Sequence, residues 1–239
     1  IYTITPFTTT RCLEQIKIGA AYHDSNIVIV GTGSGLSYSE LGPTHHSLED
    51  IAILRAIPGI RILTPSDPME LKIQLLETVN LEGPTYIRIG KKGEPNLHKD
   101  ISNLGIGKAN ILREGKNILV LAIGPIVSEA IKAIDELVPK DMSIAIATMS
   151  SIRPLDEKFL ERMLERGFEN WLTLEEHGLV GGLGSTILEW ASDYKVLDQI
   201  KLTRLGVNSK FIHKLGNQAY TRKMLGIDSI GIKTAIQSL

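Results

Sequence analysis

The run Ile27-Val28-Ile29-Val30 passes into Gly31-Thr32-Gly33-Ser34-Gly35 and a long polar loop that ends at His45-His46. This stretch decides the fold. A short, unbroken β-branched run reads as a strand buried on both faces, the mark of a parallel sheet. Ser47-Leu48-Glu49-Asp50 then opens a helix. Ser47 is placed to cap it, and the acidic residues of its first turn suit the helix dipole. Ile51, Leu54 and Arg55 continue the helix until Pro58-Gly59 stops it. Ile60 to Leu63 is a second apolar strand. Pro68 starts the next helix at a favoured first-turn position, with Leu71, Leu75 and Leu76 as its apolar stripe. Thr85-Tyr86-Ile87-Arg88-Ile89 is a third strand. Upstream, Ile1-Tyr2-Thr3-Ile4 reads as a strand already inside a core, as if the chain opens within a domain.

The same alternation resumes downstream. Ile118 to Ile123 is a strand, and Ile126 to Val138 an amphipathic helix with Val127, Ala130, Ile131, Ile134 and Val138 on one face. Ile144 to Ala147, Trp171 to Leu174 and Ile200 to Leu205 are strands. Asp156 to Arg166 and a segment from Gly184 to Ala191 are helices, and short helices close the chain. Residues 93–117 hold few sustained apolar runs and read as a linker, with a short hairpin near Gly105 to Ile111. Strands alternating with helices predict α/β architecture: two three-layer domains with mainly parallel sheets, over residues 1–92 and 118–239.

Composition narrows the function classes. The 239 residues carry 26 Lys+Arg against 27 Asp+Glu, a net charge of −1 that gives nucleic acid no basic surface to bind. No apolar run reaches membrane-spanning length. The single cysteine, Cys12, has no internal disulfide partner and suits a reducing cytoplasm.

In open parallel sheets, ligands bind outside the carboxyl ends of the strands. The loop after Val30 is therefore the first candidate site. Gly31, Gly33 and Gly35 stand at G-x-G-x-G, but a dinucleotide fingerprint needs its third glycine where Leu36 sits, and a helix at once. That reading fails. His45 and His46 remain. Histidine is the natural acid–base group near neutral pH, and this pair sits in a loop at the active edge. Arg88 ends an apolar strand. It reads either as a snorkelling surface arginine or as an anion clamp, since guanidinium pairs bidentately with phosphate or carboxylate.

Gly42-Pro43-Thr44-His45-His46-Ser47-Leu48-Glu49-Asp50 resembles the transketolase signature Gly-Pro-Thr-His-Gln. The continuations Ile53-Leu54-Arg55-Ala56-Ile57-Pro58-Gly59 and Thr64-Pro65-Ser66-Asp67 are also similar to that family, as is Arg88 after a Gly-Pro-plus-strand step. Thr173-Leu174-Glu175-Glu176-His177, followed by Gly181-Gly182-Leu183-Gly184-Ser185, resembles the family's C-terminal domain. The resemblance covers nearly the whole chain.

It implies a thiamine-diphosphate-binding fold for the pyrimidine-binding part, incomplete at its start, followed by a transketolase C-terminal-like domain. It also implies transfer of a two-carbon ketol unit between sugar phosphates in the cytoplasm. The cofactor would be thiamine diphosphate with Mg2+, whose ligands are expected on a diphosphate-binding domain or subunit outside these residues. The assembly would be a homodimer or a heterotetramer. Carried over by position, His45 is the catalytic histidine beside cofactor and substrate, and His46 stands in place of Gln at the substrate. Arg88 meets substrate phosphate. Phe7 is the candidate platform under the aminopyrimidine, with plain core as its alternative. Arg11 is a weaker cofactor-site candidate that an ordinary salt bridge explains equally well. Leu41 departs from the pattern, because the family usually carries an Asp there to read a donor hydroxyl. Glu175, Glu176 and His177 are structural or interfacial, and the Gly181 to Gly184 run is a candidate anion-binding turn. The rival readings are the beta subunit of a 2-oxo-acid dehydrogenase and a non-catalytic dimerising scaffold.

Overall fold

The computed structural model describes residues 1–137 and 142–239. Val138 lies outside them. In chain order the elements are β1 (Tyr2–Ile4), α1 (Thr5–Thr8), α2 (Leu13–Gln15), β2 (Val28–Thr32), α3 (Asp50–Arg55), β3 (Arg61–Leu63), α4 (Pro68–Thr78), β4 (Thr85–Arg88) and β5 (Asn110–Arg113). There follow β6 (Ile118–Ala122), α5 (Val127–Asp135), β7 (Ile144–Thr148), β8 (Ser151–Arg153), α6 (Glu157–Glu165), β9 (Asn170–Gly178), α7 (Leu183–Asp193), β10 (Lys201–Val207), α8 (Gln218–Leu225) and α9 (Ser229–Gln237). Among the described residues, no helix is long and apolar enough to cross a membrane.

Two five-stranded sheets form, ordered β1-β2-β4-β3-β8 and β10-β9-β6-β7-β5. Each is parallel except for one antiparallel edge strand, β8 in the first and β5 in the second. Along β6 the side chains alternate. Leu119 and Leu121 enter one core with Trp171, Leu183 and Phe159, while Ile118, Val120 and Ala122 enter the other with Ile134 and Ile232. A strand buried on both faces needs this unbroken apolar run. The first core also takes in Ile29, Ile51 and Leu54, so it runs from one sheet to the other. The result is two α/β units with mainly parallel sheets, as the alternation predicts.

Several local expectations are corrected. Ser47 does not cap α3, which starts at Asp50; instead the Ser47 N–H donates to the Gly35 carbonyl and closes the long loop. Residues 105–111 form no hairpin, because β5 pairs with the distant β7. The opening strand β1 lies at a sheet edge with Ile1 and Tyr2 exposed, not inside a core. The stripe of α4 is inverted: Leu75 and Leu76 are exposed, while Glu70, Gln74 and Thr78 are buried. The reason is what this helix packs on. Glu70 accepts from Ser66 N–H (2.8 Å) and from the Oγ1 of Thr148 (2.5 Å) at the end of β7. Gln74 donates to Ser150 Oγ at 2.8 Å. A helix facing a polar junction turns its polar side inward, since buried polar groups need partners.

Candidate active site

The carboxyl ends of β1, β2 and β4 lie side by side, with Ile4 opposite Thr32 and Gly31 opposite Arg88. Three segments therefore leave the sheet at one edge. The segment after β1 carries Phe7 and Arg11, the loop after β2 carries Tyr38 and His45, and the segment after β4 carries Lys91. The rings of Phe7 and His45 meet edge to face, their centroids 5.3 Å apart, a favoured aromatic arrangement. Tyr38 approaches His45 from another side at 6.3 Å. The Arg11 guanidinium covers the Phe7 ring at 3.9 Å, and Lys91 Nζ stands 4.6 Å above the Tyr38 ring. Both cations thus sit against aromatic faces. Thr44 Oγ1 and His45 Nδ1 are 2.9 Å apart and hydrogen-bonded, so Nε2 is the ring nitrogen left for a ligand.

The structure thus brings Phe7, Arg11 and His45 together. It removes the other two candidates from the surface. His46 is 5% exposed, and its Nε2 donates to the Ser39 carbonyl at 3.0 Å, so it braces the loop. Arg88 is 1% exposed. Its Nε donates to Asp50 Oδ2 at 2.8 Å, and one terminal nitrogen donates to the carbonyls of Ser47 and Glu176, each at 2.9 Å. These two nitrogens serve the protein itself, so Arg88 is first a buried strut between Asp50, Ser47 and Glu176; the expected substrate-phosphate clamp would have only its second terminal nitrogen to offer. Tyr38 and Lys91 are the site neighbours that sequence reasoning missed. The only signal for them was their address after a strand's carboxyl end, which Lys91 shares with Arg88.

Behind the loop lies a buried ionisable group of unusual density. Burial pushes the Asp50 carboxyl up, but the Arg88 guanidinium, His177 and the Tyr86 hydroxyl (2.6 Å) outweigh it and hold it below the ordinary value. Burial drives His177 down to about 4. Its Nδ1–H donates to the Gly178 carbonyl at 2.7 Å. Burial raises Glu175 to about 7, against the pull of two backbone N–H donors. Those donors are Leu183 (2.7 Å) and Gly184 (2.9 Å), at the start of α7. The turn expected to take an external anion at Gly181 to Gly184 is already occupied by the chain's own carboxylate.

Among the described residues, one trio could hold a metal ion: Asp67, Glu70 and His98. Its oxygens are already committed. Asp67 Oδ2 accepts from the N–H groups of Leu97 (2.8 Å) and His98 (2.9 Å) and from His98 Nδ1 (3.0 Å), while Glu70 accepts from Ser66 and Thr148. It reads as a polar lock on the segment after β4.

The comparisons with known proteins agree with this architecture. The model of the transketolase pyrimidine-binding domain matches residues 2–94, and that of the transketolase C-terminal domain matches residues 107–232. An apulose-4-phosphate transketolase subunit from Actinobacillus succinogenes is 32% identical over 98% of this chain and 74% of its own length. The protein of the same name from Phocaeicola vulgatus is 34% identical over 97% of this chain and 73% of its own. A solved split-gene transketolase, described as an inactive β4 tetramer, superposes with a TM-score of 0.85 at 25% identity, covering 98% of this chain and 73% of that one. Fold, site edge and sequence agree that this chain belongs to the transketolase family and carries its pyrimidine-binding and C-terminal domains.

Proposed function

We propose that the chain is the C-terminal part or subunit of a transketolase-like transferase that moves a two-carbon ketol unit between phosphorylated sugars. The observation that carries this reading is the Phe7–His45 pair at the carboxyl edge of the first sheet, flanked by Arg11 and Lys91. Thiamine diphosphate supplies, when bound, the carbon nucleophile that a ketol transfer needs. The residues fit its pyrimidine end, with a half-buried aromatic wall at Phe7 and a ring nitrogen at His45. Among the described residues, the trio close enough together for a cation, Asp67, Glu70 and His98, is engaged in internal hydrogen bonds and is not a built diphosphate site. The diphosphate and its Mg2+ therefore belong to a partner domain or subunit, in line with relatives that are themselves named as single subunits of a transketolase.

Within this assembly His45 Nε2 takes and returns a proton at a sugar hydroxyl, with Nδ1 held by Thr44. Phe7 orients the pyrimidine. Arg11 and Lys91, both exposed, offer the phosphate more accessible cations than the buried Arg88 does. Leu41, half exposed on the same loop, offers no hydrogen bond to a donor hydroxyl, which favours a specialised sugar over a standard ketose. The catalytic unit is a cytoplasmic homodimer or heterotetramer. The test is assembly with the diphosphate-binding partner, thiamine diphosphate and Mg2+, followed by a ketol-transfer assay. Transfer supports the reading. Decarboxylation of a 2-oxo acid with no ketol transfer replaces it with a dehydrogenase beta subunit, and absence of cofactor binding leaves a scaffold.

A further inference from the structure

Glu176 lies at the carboxyl end of β9, in the second domain, and is 5% exposed. Its side chain nevertheless serves the loop of the first domain. Oε1 accepts the Leu36 N–H at 2.7 Å and Gln218 Nε2 at 2.9 Å, and Oε2 pairs with the Arg222 guanidinium. Its carbonyl accepts from Arg88, which also holds the Ser47 carbonyl at the loop's far end. One residue thus ties both ends of the His45 loop. Gly35 shows how close the approach is. It adopts φ +61°, and a Cβ there would stand 2.5 Å from Glu176 Oε1, so glycine alone is tolerated. Leu36 is fully buried in the core of the second sheet with Val120, Leu172 and Ile227. A third tether joins Ser39 Oγ to Thr221 Oγ1 of α8 at 2.5 Å. That same Ser39 carbonyl receives His46 Nε2.

We propose that Glu176, held by Arg222 and Gln218, is a positioning residue: it fixes from the second domain the loop that presents His45. The inference rests on the proposed function only for its kinetic consequence. A charged acceptor in a dry site gives a strong hydrogen bond to a backbone N–H, and misplacing a reacting group by about 1 Å can cost up to ~100-fold in rate.

Glu176→Ala and Thr221→Val, each assembled with the partner subunit, thiamine diphosphate and Mg2+, test it. Expected for Glu176→Ala is a fall in kcat of about tenfold or more, with KM for the ketose donor held within about twofold. Glu176→Gln keeps an oxygen for Leu36 N–H and recovers part of that loss. Thr221→Val removes the separate Ser39 tether and lowers kcat by about threefold; if Glu176→Ala does not fold, loop exchange and kcat in Glu176→Gln, which weakens the charge-assisted bond to the Leu36 N–H, carry the test. A folded Glu176→Ala with kcat within twofold of wild type, or a loss carried by KM alone, overturns the proposal. Hydrogen exchange of residues 33–47 gives a readout free of activity. It accelerates by about tenfold in Glu176→Ala while β6 and β7 stay protected. Unchanged loop exchange overturns the positioning role. A wild-type assembly that transfers no ketol unit overturns the proposed function instead, and leaves the exchange result standing.

Discussion

Arg88 and Asp50 form an ion pair with Nε and Oδ2 2.8 Å apart and both side chains 1% exposed, at the contact between the two domains. Removing one partner of such a pair leaves a buried charge without compensation, at a cost of about 3–5 kcal/mol. Arg88→Ala is therefore expected to lower the urea midpoint strongly and to impair phosphorylated and unphosphorylated substrates alike. A selective loss with phosphorylated substrates in a fully stable variant would restore Arg88 as a clamp.

The exposed cations carry the opposite expectation. Lys91→Ala and Arg11→Ala remove charges that hold nothing buried, so stability stays within about 0.5 kcal/mol. KM for a phosphorylated sugar rises several-fold, while its unphosphorylated analogue reacts as before. A common loss for both substrates would take Lys91 and Arg11 out of phosphate recognition.

His45→Ala is expected to slow ketol transfer by about 100-fold or more, the scale of a lost proton-transfer group. The fold should survive, because His45 is only partly buried and its ring contacts Phe7 and Tyr38 at the loop surface. Circular dichroism and turnover on the same preparation decide it. An undiminished rate would exclude His45 from the mechanism.

Glu175 and His177 oppose each other in pH. The folded state holds the Glu175 proton up to about 7 against an ordinary 4.5, so this group's contribution falls as pH rises across that window. His177 is depressed to about 4 from 6.5, so its contribution rises with pH over nearly the same range. Each is worth on the order of a few kcal/mol across its window, and the two slopes largely cancel. Tm measured from pH 4 to 7 should therefore fall more steeply in His177→Gln than in wild type, and rise more steeply in Glu175→Gln. Parallel profiles in all three proteins would refute the pairing.

His98 sets a third pH dependence. Burial pulls its pKa down, but the hydrogen bond to Asp67 and the Glu70 carboxylate outweigh burial and raise it above 6.5. Its stabilisation is complete below the unfolded value and is lost as pH rises through the raised one. The Tm gap between wild type and His98→Gln should be widest near pH 6 and close on going alkaline. A gap that stays constant would show that His98 acts by packing alone.

Much of this was legible in residue order. The β-branched runs at 27–30 and 118–123 are strands, and Gly42 to Asp50 marks the family. Pro68 opens a helix as read. What was not legible depends on distant partners. Arg88 stands where a clamp would stand, and only Asp50 and the Glu176 carbonyl, folded against it, show that Nε and one terminal nitrogen are engaged inside the protein. Leu75 and Leu76 look like a core stripe until Thr148 and Ser150 arrive beneath α4. Lys91 gained meaning only when the order β1-β2-β4 placed it beside Tyr38. His46 followed the same rule, since its partner carbonyl lies within its own loop at Ser39 but the loop's path is set by Glu176 and Thr221.

The strand β8 pairs with β3, although it follows β7 of the other sheet. The two halves are thus stitched by backbone rather than merely docked. A cut near residue 105 would strip the first sheet of its border and leave the row of amides on β3 bare, ready to recruit any passing strand. Swapping halves between relatives would likewise trade a piece of the recipient's own sheet, so chimaeras joined in the linker should be built with Ser151–Arg153 matched to the first half they must complete.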